Sequence, residues 1–285
     1  MDFHSNLYYA NYSNSQKIYH KAKKQKIAKG YLMNRTTRKL LRILNLYDAA
    51  VDIKHRLART EAKYLSLYSQ FVHKGDLCFD IGANIGRMTK ILLKLNTSVV
   101  AVEPQAYCMK KLKKKYAHDT NVILIQKALG GSEGQVQMML SDAHELSSIS
   151  KDWINSVQAS GKFSTSRWNK TVTVPVVTLD NLIQEYGKPA FVKIDVEGYE
   201  YEALKGLSQP VRTVCFEFTS VFLDSAVKGI KHLSQIASVR FNYCVWPHQT
   251  RLVLPTWITP DQICEILTAQ RNKQTVGDVY AQFDI

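Results

Sequence analysis

The stretch Phe79-Asp80-Ile81-Gly82-Ala83-Asn84-Ile85-Gly86 ends an apolar run in a turn with two glycines and leads into the helix-like Met88 to Leu95. A chain leaving a strand beside a ligand crevice must turn tightly and let its backbone approach the ligand, and glycine permits both. Gly82 and Gly86 are therefore candidate ligand-binding positions. Their spacing is Gly-x-Asn-x-Gly, not the Gly-x-Gly-x-x-Gly of dinucleotide folds. That argues against a pyrophosphate on the helix N-terminus, and so against a nicotinamide dehydrogenase. Asp80, at the strand's end, can offset positive charge on a ligand. Glu103 ends Val99-Val100-Ala101-Val102, 21 residues after Gly82, and an acid so placed can accept hydrogen bonds from ribose hydroxyls.

A second acid-rich turn, Lys193-Ile194-Asp195-Val196-Glu197-Gly198-Tyr199-Glu200, follows another apolar run. In an open α/β sheet the ligand crevice lies outside the carboxyl ends of the strands, where Asp80, Glu103, Asp195 and Glu217 are expected to project. Asp195 and Glu197 are candidate proton acceptors, as is His144 in the segment Ser141 to Glu145. Asp195, Glu197 and Glu217 together also offer the hard oxygen ligands that a divalent metal such as Mg²⁺ prefers. Glu200 suits the first turn of a following helix, whose dipole favours an acid there.

The elements that must position these groups follow from periodicity. Short β-branched or aromatic runs alternate with helical ones from Leu77 onward, the pattern of βαβ units and a parallel sheet. The strands read this way are Leu77 to Asp80, Val99 to Val102, Val122 to Ile125, Phe191 to Ile194, Val214 to Phe218 and Phe241 to Val245. Residues 127–180 break the rhythm. They hold a glycine turn between 130 and 134 and two strand-like segments, Val136 to Leu140 and Thr171 to Val177, which read as an inserted β-hairpin. Between Gly30 and Gly75 there is neither Gly nor Pro, and apolar residues recur at helical spacing, so one long helix or two shorter ones are expected. Residues 1–70 thus form a basic, helical or partly flexible extension, and residues 71–285 the main domain.

Taken in order, FDIGANIG (79 to 86), VEP (102 to 104), KALG (127 to 130), VTLDNL (177 to 182), KIDVEGYEYEALKG (193 to 206) and VCFEF (214 to 218) resemble class I S-adenosylmethionine-dependent methyltransferases, and more narrowly the FkbM-type family. The match runs from about residue 71 to 220. The resemblance implies a Rossmann-like seven-stranded sheet with one antiparallel edge strand. It also implies S-adenosylmethionine as cofactor, held by Gly82, Asn84, Gly86 and Glu103, with Asp195 near the transferable methyl. Methyl transfer to a hydroxyl of a sugar, glycan or small metabolite is the expected reaction.

Charge bounds the partners. Residues 1–75 carry 15 Lys or Arg against four Asp or Glu, which is +11 of the chain's +14. Elsewhere the main basic run is Lys110-Lys111-Leu112-Lys113-Lys114-Lys115. Such a field favours a phosphorylated carrier, a membrane surface or a nucleic acid, although a merely solvated face looks the same in sequence. A nucleic-acid methyltransferase and a catalytically silent cofactor-binding protein are the competing readings. The N-terminus lacks the apolar core of a signal peptide, and the five cysteines have no zinc-site spacing, so a reducing cytoplasm is expected. A chain beginning near Leu65 is expected to fold.

Overall fold

The computed structural model describes residues 60–161, 166–245, 251–271, 273 and 275–285. The arm over residues 1 to 30 and most of the helix expected before Gly75 lie outside the described residues. The end of that helix is α1, residues 60–68.

The chain then alternates as expected: β1 (Leu77–Ile81), α2 (Arg87–Lys94), β2 (Ser98–Val102), α3 (Ala106–Tyr116) and β3 (Val122–Ile125). An insertion follows with β4 (Ala128–Leu129), β5 (Gly134–Ser141), α4 (Lys151–Ala159) and β6 (Trp168–Val177). After α5 (Leu179–Tyr186) come β7 (Phe191–Ile194), α6 (Glu200–Leu204), β8 (Thr213–Thr219), α7 (Leu223–Ile236), β9 (Val239–Val245), α8 (Pro260–Thr268) and β10 (Val276–Phe283). Seven strands form one sheet in the order β3-β2-β1-β7-β8-β10-β9. The expected hairpin is present as the antiparallel pair β5–β6, extended to a three-stranded sheet by β4.

The antiparallel strand is β10, paired with both β8 and β9, so it lies inside the sheet and β9 forms the edge. This differs from the antiparallel edge strand that the family resemblance implies. Nearly every residue of β10 is buried, and an interior place gives its backbone a partner on each side. Gly277 permits the close approach, since a Cβ there would lie 2.0 Å from the Cys244 carbonyl oxygen.

Each sheet face carries its own core. α5, α6, α7 and α8 cover one, while α1, α2 and α3 cover the other with Tyr64, Leu67 and Tyr68. The Tyr68 ring packs 5.0 Å from Phe191, and Phe71 stacks 5.2 Å from Tyr280. The core thus begins ahead of the boundary at residue 71 read from the sequence. Among the described residues no helix is long and apolar enough to cross a membrane.

Registry sets the functional edge. Ile81 pairs with Val102 and with Ile194, and Ile194 pairs with Phe216. The residues one step further, Gly82, Glu103, Asp195 and Glu217, therefore stand in one row at the carboxyl end of four parallel strands.

Tyr68→Ala should cost roughly 3–5 kcal/mol, the range for emptying a buried aromatic site. Equilibrium urea unfolding measures this, and an unchanged midpoint would mean that α1 is not part of the core.

Candidate active site

The turn after β1 is shaped first by packing within the protein. Gly82 has φ 78°, and a Cβ on it would stand 1.9 Å from the backbone oxygen of Asp195. Gly86 has φ 79°, and a Cβ there would meet Leu112 and Tyr116 of α3. Both glycines are thus required by neighbouring protein, beyond any ligand. Asn84 takes φ 51°, a left-handed conformation that asparagine tolerates better than most residues. Its backbone N–H donates to Glu103 Oε2 at 2.8 Å.

Glu103 is the latch of this turn. Its other oxygen accepts from the Gln105 backbone N–H at 2.8 Å, which leaves each oxygen one further lone pair. Burial pushes its carboxyl up to about 7, against the pull of those two hydrogen bonds. Asp80 is equally buried and accepts from Thr89 Oγ1 in the first turn of α2. Burial raises its carboxyl to about 6. It faces α2 as much as the crevice, and supplies negative potential more readily than direct contact.

The second turn gathers acids. Asp195 donates its N–H to Ile81 oxygen, so its backbone is locked to β1, while its side chain is 41% exposed. Carboxyl oxygens of Asp195, Glu197 and Glu217 all lie within 4.8 Å of one another. Burial and then the negative charge of Asp195 drive Glu197 and Glu217 well above the usual carboxylate range. Glu197 holds φ 54°, strained for a residue with a Cβ. Glu200 is structural: its carboxylate accepts the backbone N–H groups of Val196 and Gly198, closing the loop over the first turn of α6. A Cβ on Gly198 would lie within 2.4 Å of three Trp153 atoms, so α4 of the insertion presses directly on this turn.

His144, the third candidate base, enters from the insertion. Gln105 donates to its backbone oxygen at 3.0 Å, and its ring lies 5.5 Å from that of Tyr107 and 3.4 Å from a Glu145 oxygen. Four residues later in the same segment, Ser148 donates to the Glu197 carbonyl at 2.6 Å. The insertion therefore spans both turns, and touches the acidic turn through Ser148 while His144 sits beside the Glu103 side.

Sequence reasoning had passed over Lys193 and Asp278. Lys193 is 4% exposed, donates to Asp278 Oδ1 at 3.0 Å, and lies 3.6 Å from Asp195 Oδ2. Burial opposes its charge, but Asp278 and then Asp195 outweigh that and hold the ammonium protonated. The signal was a lysine inside the apolar Phe191-Val192-Lys193-Ile194, where a charge needs a buried partner. The partner stands 85 positions away, in a strand that the sequence had not revealed.

A model of the methyltransferase FkbM domain matches residues 80–236. The hexuronic acid methyltransferase AglP of Haloferax volcanii is 25% identical over 178 residues, covering 61% of this chain and 68% of that protein. Among solved structures, precorrin-6y C5,15-methyltransferase of Geobacter metallireducens superposes with a TM-score of 0.41 at 11% identity, covering 80% of this chain and 86% of that one. A dimethyladenosine transferase of Plasmodium falciparum gives a TM-score of 0.41 at 10% identity, covering 78% of this chain and 60% of that one. With the family match spanning more than half of its length, the chain belongs to the FkbM family of methyltransferases.

Proposed function

We propose that the protein transfers a methyl group from S-adenosylmethionine to a hydroxyl of a sugar, glycan or small metabolite. The observation that carries this reading is the convergence of Asp195, Glu197 and Glu217 at the sheet edge beside the glycine turn. A hydroxyl must lose its proton as it attacks the methyl carbon, and a carboxylate within hydrogen-bond reach can take it. The relative that acts on a hexuronic acid supports a sugar as acceptor.

The donor fits the first turn. S-adenosylmethionine is a sulfonium with a cationic amine, and Asp80, Glu103 and Asp195 border the crevice with negative charge. The free lone pairs of Glu103 suit ribose hydroxyls, and Gly82, Asn84 and Gly86 shape the turn against which the cofactor would lie. The chain's own part is positioning, because in-line displacement at the sulfonium carbon gains most from holding donor and acceptor aligned and dry.

Among the three candidate bases we assign Asp195. Its side chain is 41% exposed against 15% for His144, its backbone is locked to β1, and Glu197 and Glu217 favour their protonated forms beside it. Those two can then donate hydrogen bonds to acceptor oxygens. The same donor set suits a hard divalent cation, which would lower the hydroxyl's pKa in place of a base. The Asp195 carboxylate repels an anionic acceptor such as a hexuronate, and a cation held by the three carboxyls would offset that repulsion, so a metal is the second reading.

Two outcomes follow. Glu103 accepts from ribose more strongly when ionised, so donor affinity should rise as pH increases through about 7, and Glu103→Gln should flatten that rise while weakening binding by about 1–3 kcal/mol. Calorimetric titration at several pH values tests this, and a pH-independent wild-type affinity would remove Glu103 from the cofactor site. Asp195→Asn should lose on the order of 10² to 10⁴ in single-turnover methyl transfer with a normal thermal melt. Repeating the assay in EDTA separates the readings: a wild-type rate unchanged by chelation supports Asp195 as base, and a rate restored only by Mg²⁺ supports the metal.

A further inference from the structure

We propose that the outer face of α3 docks on an anionic lipid bilayer. The helix buries Cys108, Met109, Leu112 and Tyr116 against the sheet, which leaves Tyr107, Lys110, Lys111 and Lys114 outward at i, i+3, i+4 and i+7, flanked by Lys113 and Lys115. It carries no acidic residue.

Among the described residues these lysines have no acidic partner. On the neighbouring α2, Lys90 and Lys94 share the Glu61 carboxylate. Lys115 donates to the Gly86 carbonyl at 2.7 Å. Among the described residues, Lys110, Lys111, Lys113 and Lys114 form no ion pair. Like charges at i and i+4, such as Lys110 with Lys114 and Lys111 with Lys115, destabilise a helix. The helix dipole compensates cations in the last turn, which accounts for Lys113 to Lys115 but not for Lys110 and Lys111 nearer the middle. A surface of phosphates compensates Lys110, Lys111, Lys113 and Lys114 together.

The apolar groups nearby favour a bilayer over a nucleic acid. Tyr107 is 55% exposed in the first turn of α3, and Ile85 is 41% exposed in the glycine turn that Leu112 and Tyr116 contact. A convex helix with long lysines and an aromatic residue at one end suits a planar headgroup layer, where the stems lie along apolar surface and the charges reach phosphate. Single-stranded nucleic acid is instead held by a groove with several aromatic platforms, and this face offers one exposed ring. Tyr107 also touches His144, so the docking face borders the rim of the active site. An acceptor carried by a lipid would meet the enzyme on that side. The proposal does not depend on which hydroxyl is methylated.

The test is sedimentation of the full chain with vesicles of phosphatidylcholine, with or without about one-third phosphatidylglycerol. The basic residues 1–59 are present in every protein compared, so the contrast isolates α3. Wild type should bind the anionic vesicles and not the neutral ones. Combining Lys110→Gln, Lys111→Gln, Lys113→Gln and Lys114→Gln should lower the partition coefficient by at least ~100-fold, at roughly fivefold per lysine, and should make it less sensitive to salt. Lys111→Glu alone, which hardly perturbs an exposed helix position, should lower it more than tenfold on the same scale of about fivefold per charge. Variants that bind anionic vesicles like wild type overturn the proposal. So does a loss of affinity for a single-stranded oligoribonucleotide with vesicle binding intact, which would make α3 a nucleic-acid face.

Discussion

The site rests on one buried cation. Lys193 points into the layer beneath the acidic turn and is held by Asp278 from β10, a strand separated from β7 by β8. Removing either partner would leave an uncompensated buried charge, a loss of about 3–5 kcal/mol in comparable cases. The pair therefore fixes β10 relative to β7. It also sets a positive charge 3.6 Å below the Asp195 carboxylate, so the acidic row has a counter-charge on its protein side and an open face toward the crevice. Asp278 and Asp195 flank this lysine, and the Glu197 and Glu217 carboxyls converge on Asp195 above it.

The two turns depend on each other. Gly82 is a glycine because the Asp195 carbonyl lies where its Cβ would be, and the Asp195 N–H is bound to Ile81 on the same strand as Asp80. Glu103 then holds Asn84, Glu200 holds Val196 and Gly198, and Ser148 of the insertion holds the Glu197 carbonyl. Positive φ at Asn84 and Glu197 is the strain that these bonds maintain. A site of this kind keeps donor and acceptor geometry by backbone packing, so changes in the insertion reach the acidic turn through Trp153 and Ser148.

Much of this was legible in the sequence because it is local. The six strands read from apolar runs are present, the inserted antiparallel pair is where the glycine turn and strand-like segments placed it, and Glu103, Asp195 and Glu217 share the carboxyl edge, whereas Asp80 lies within β1 and turns to Thr89. What was missed depends on distant pairing. β10 was hidden because Gly277 and Asp278 interrupt its apolar pattern, yet both are explained by neighbours: the Cys244 backbone beside one and Lys193 beside the other. The place of the antiparallel strand inside the sheet follows from that strand's burial on both sides. Tyr64 and Tyr68 looked like part of a charged extension because basic residues surround them, and only the packing of Tyr68 on Phe191, with Tyr64 against Tyr68, assigns them to the core.

Where the methyl group lands tests the central claim most directly. Incubation with S-adenosylmethionine carrying a ¹³C-labelled methyl, with uronic-acid and neutral glycosides as acceptors, followed by carbon NMR of the products, identifies the atom that receives it. The account predicts a labelled methyl bonded to a hydroxyl oxygen of the acceptor. A label on nitrogen or carbon, or a protein that binds the donor and transfers its methyl to none of these hydroxyls, would contradict it.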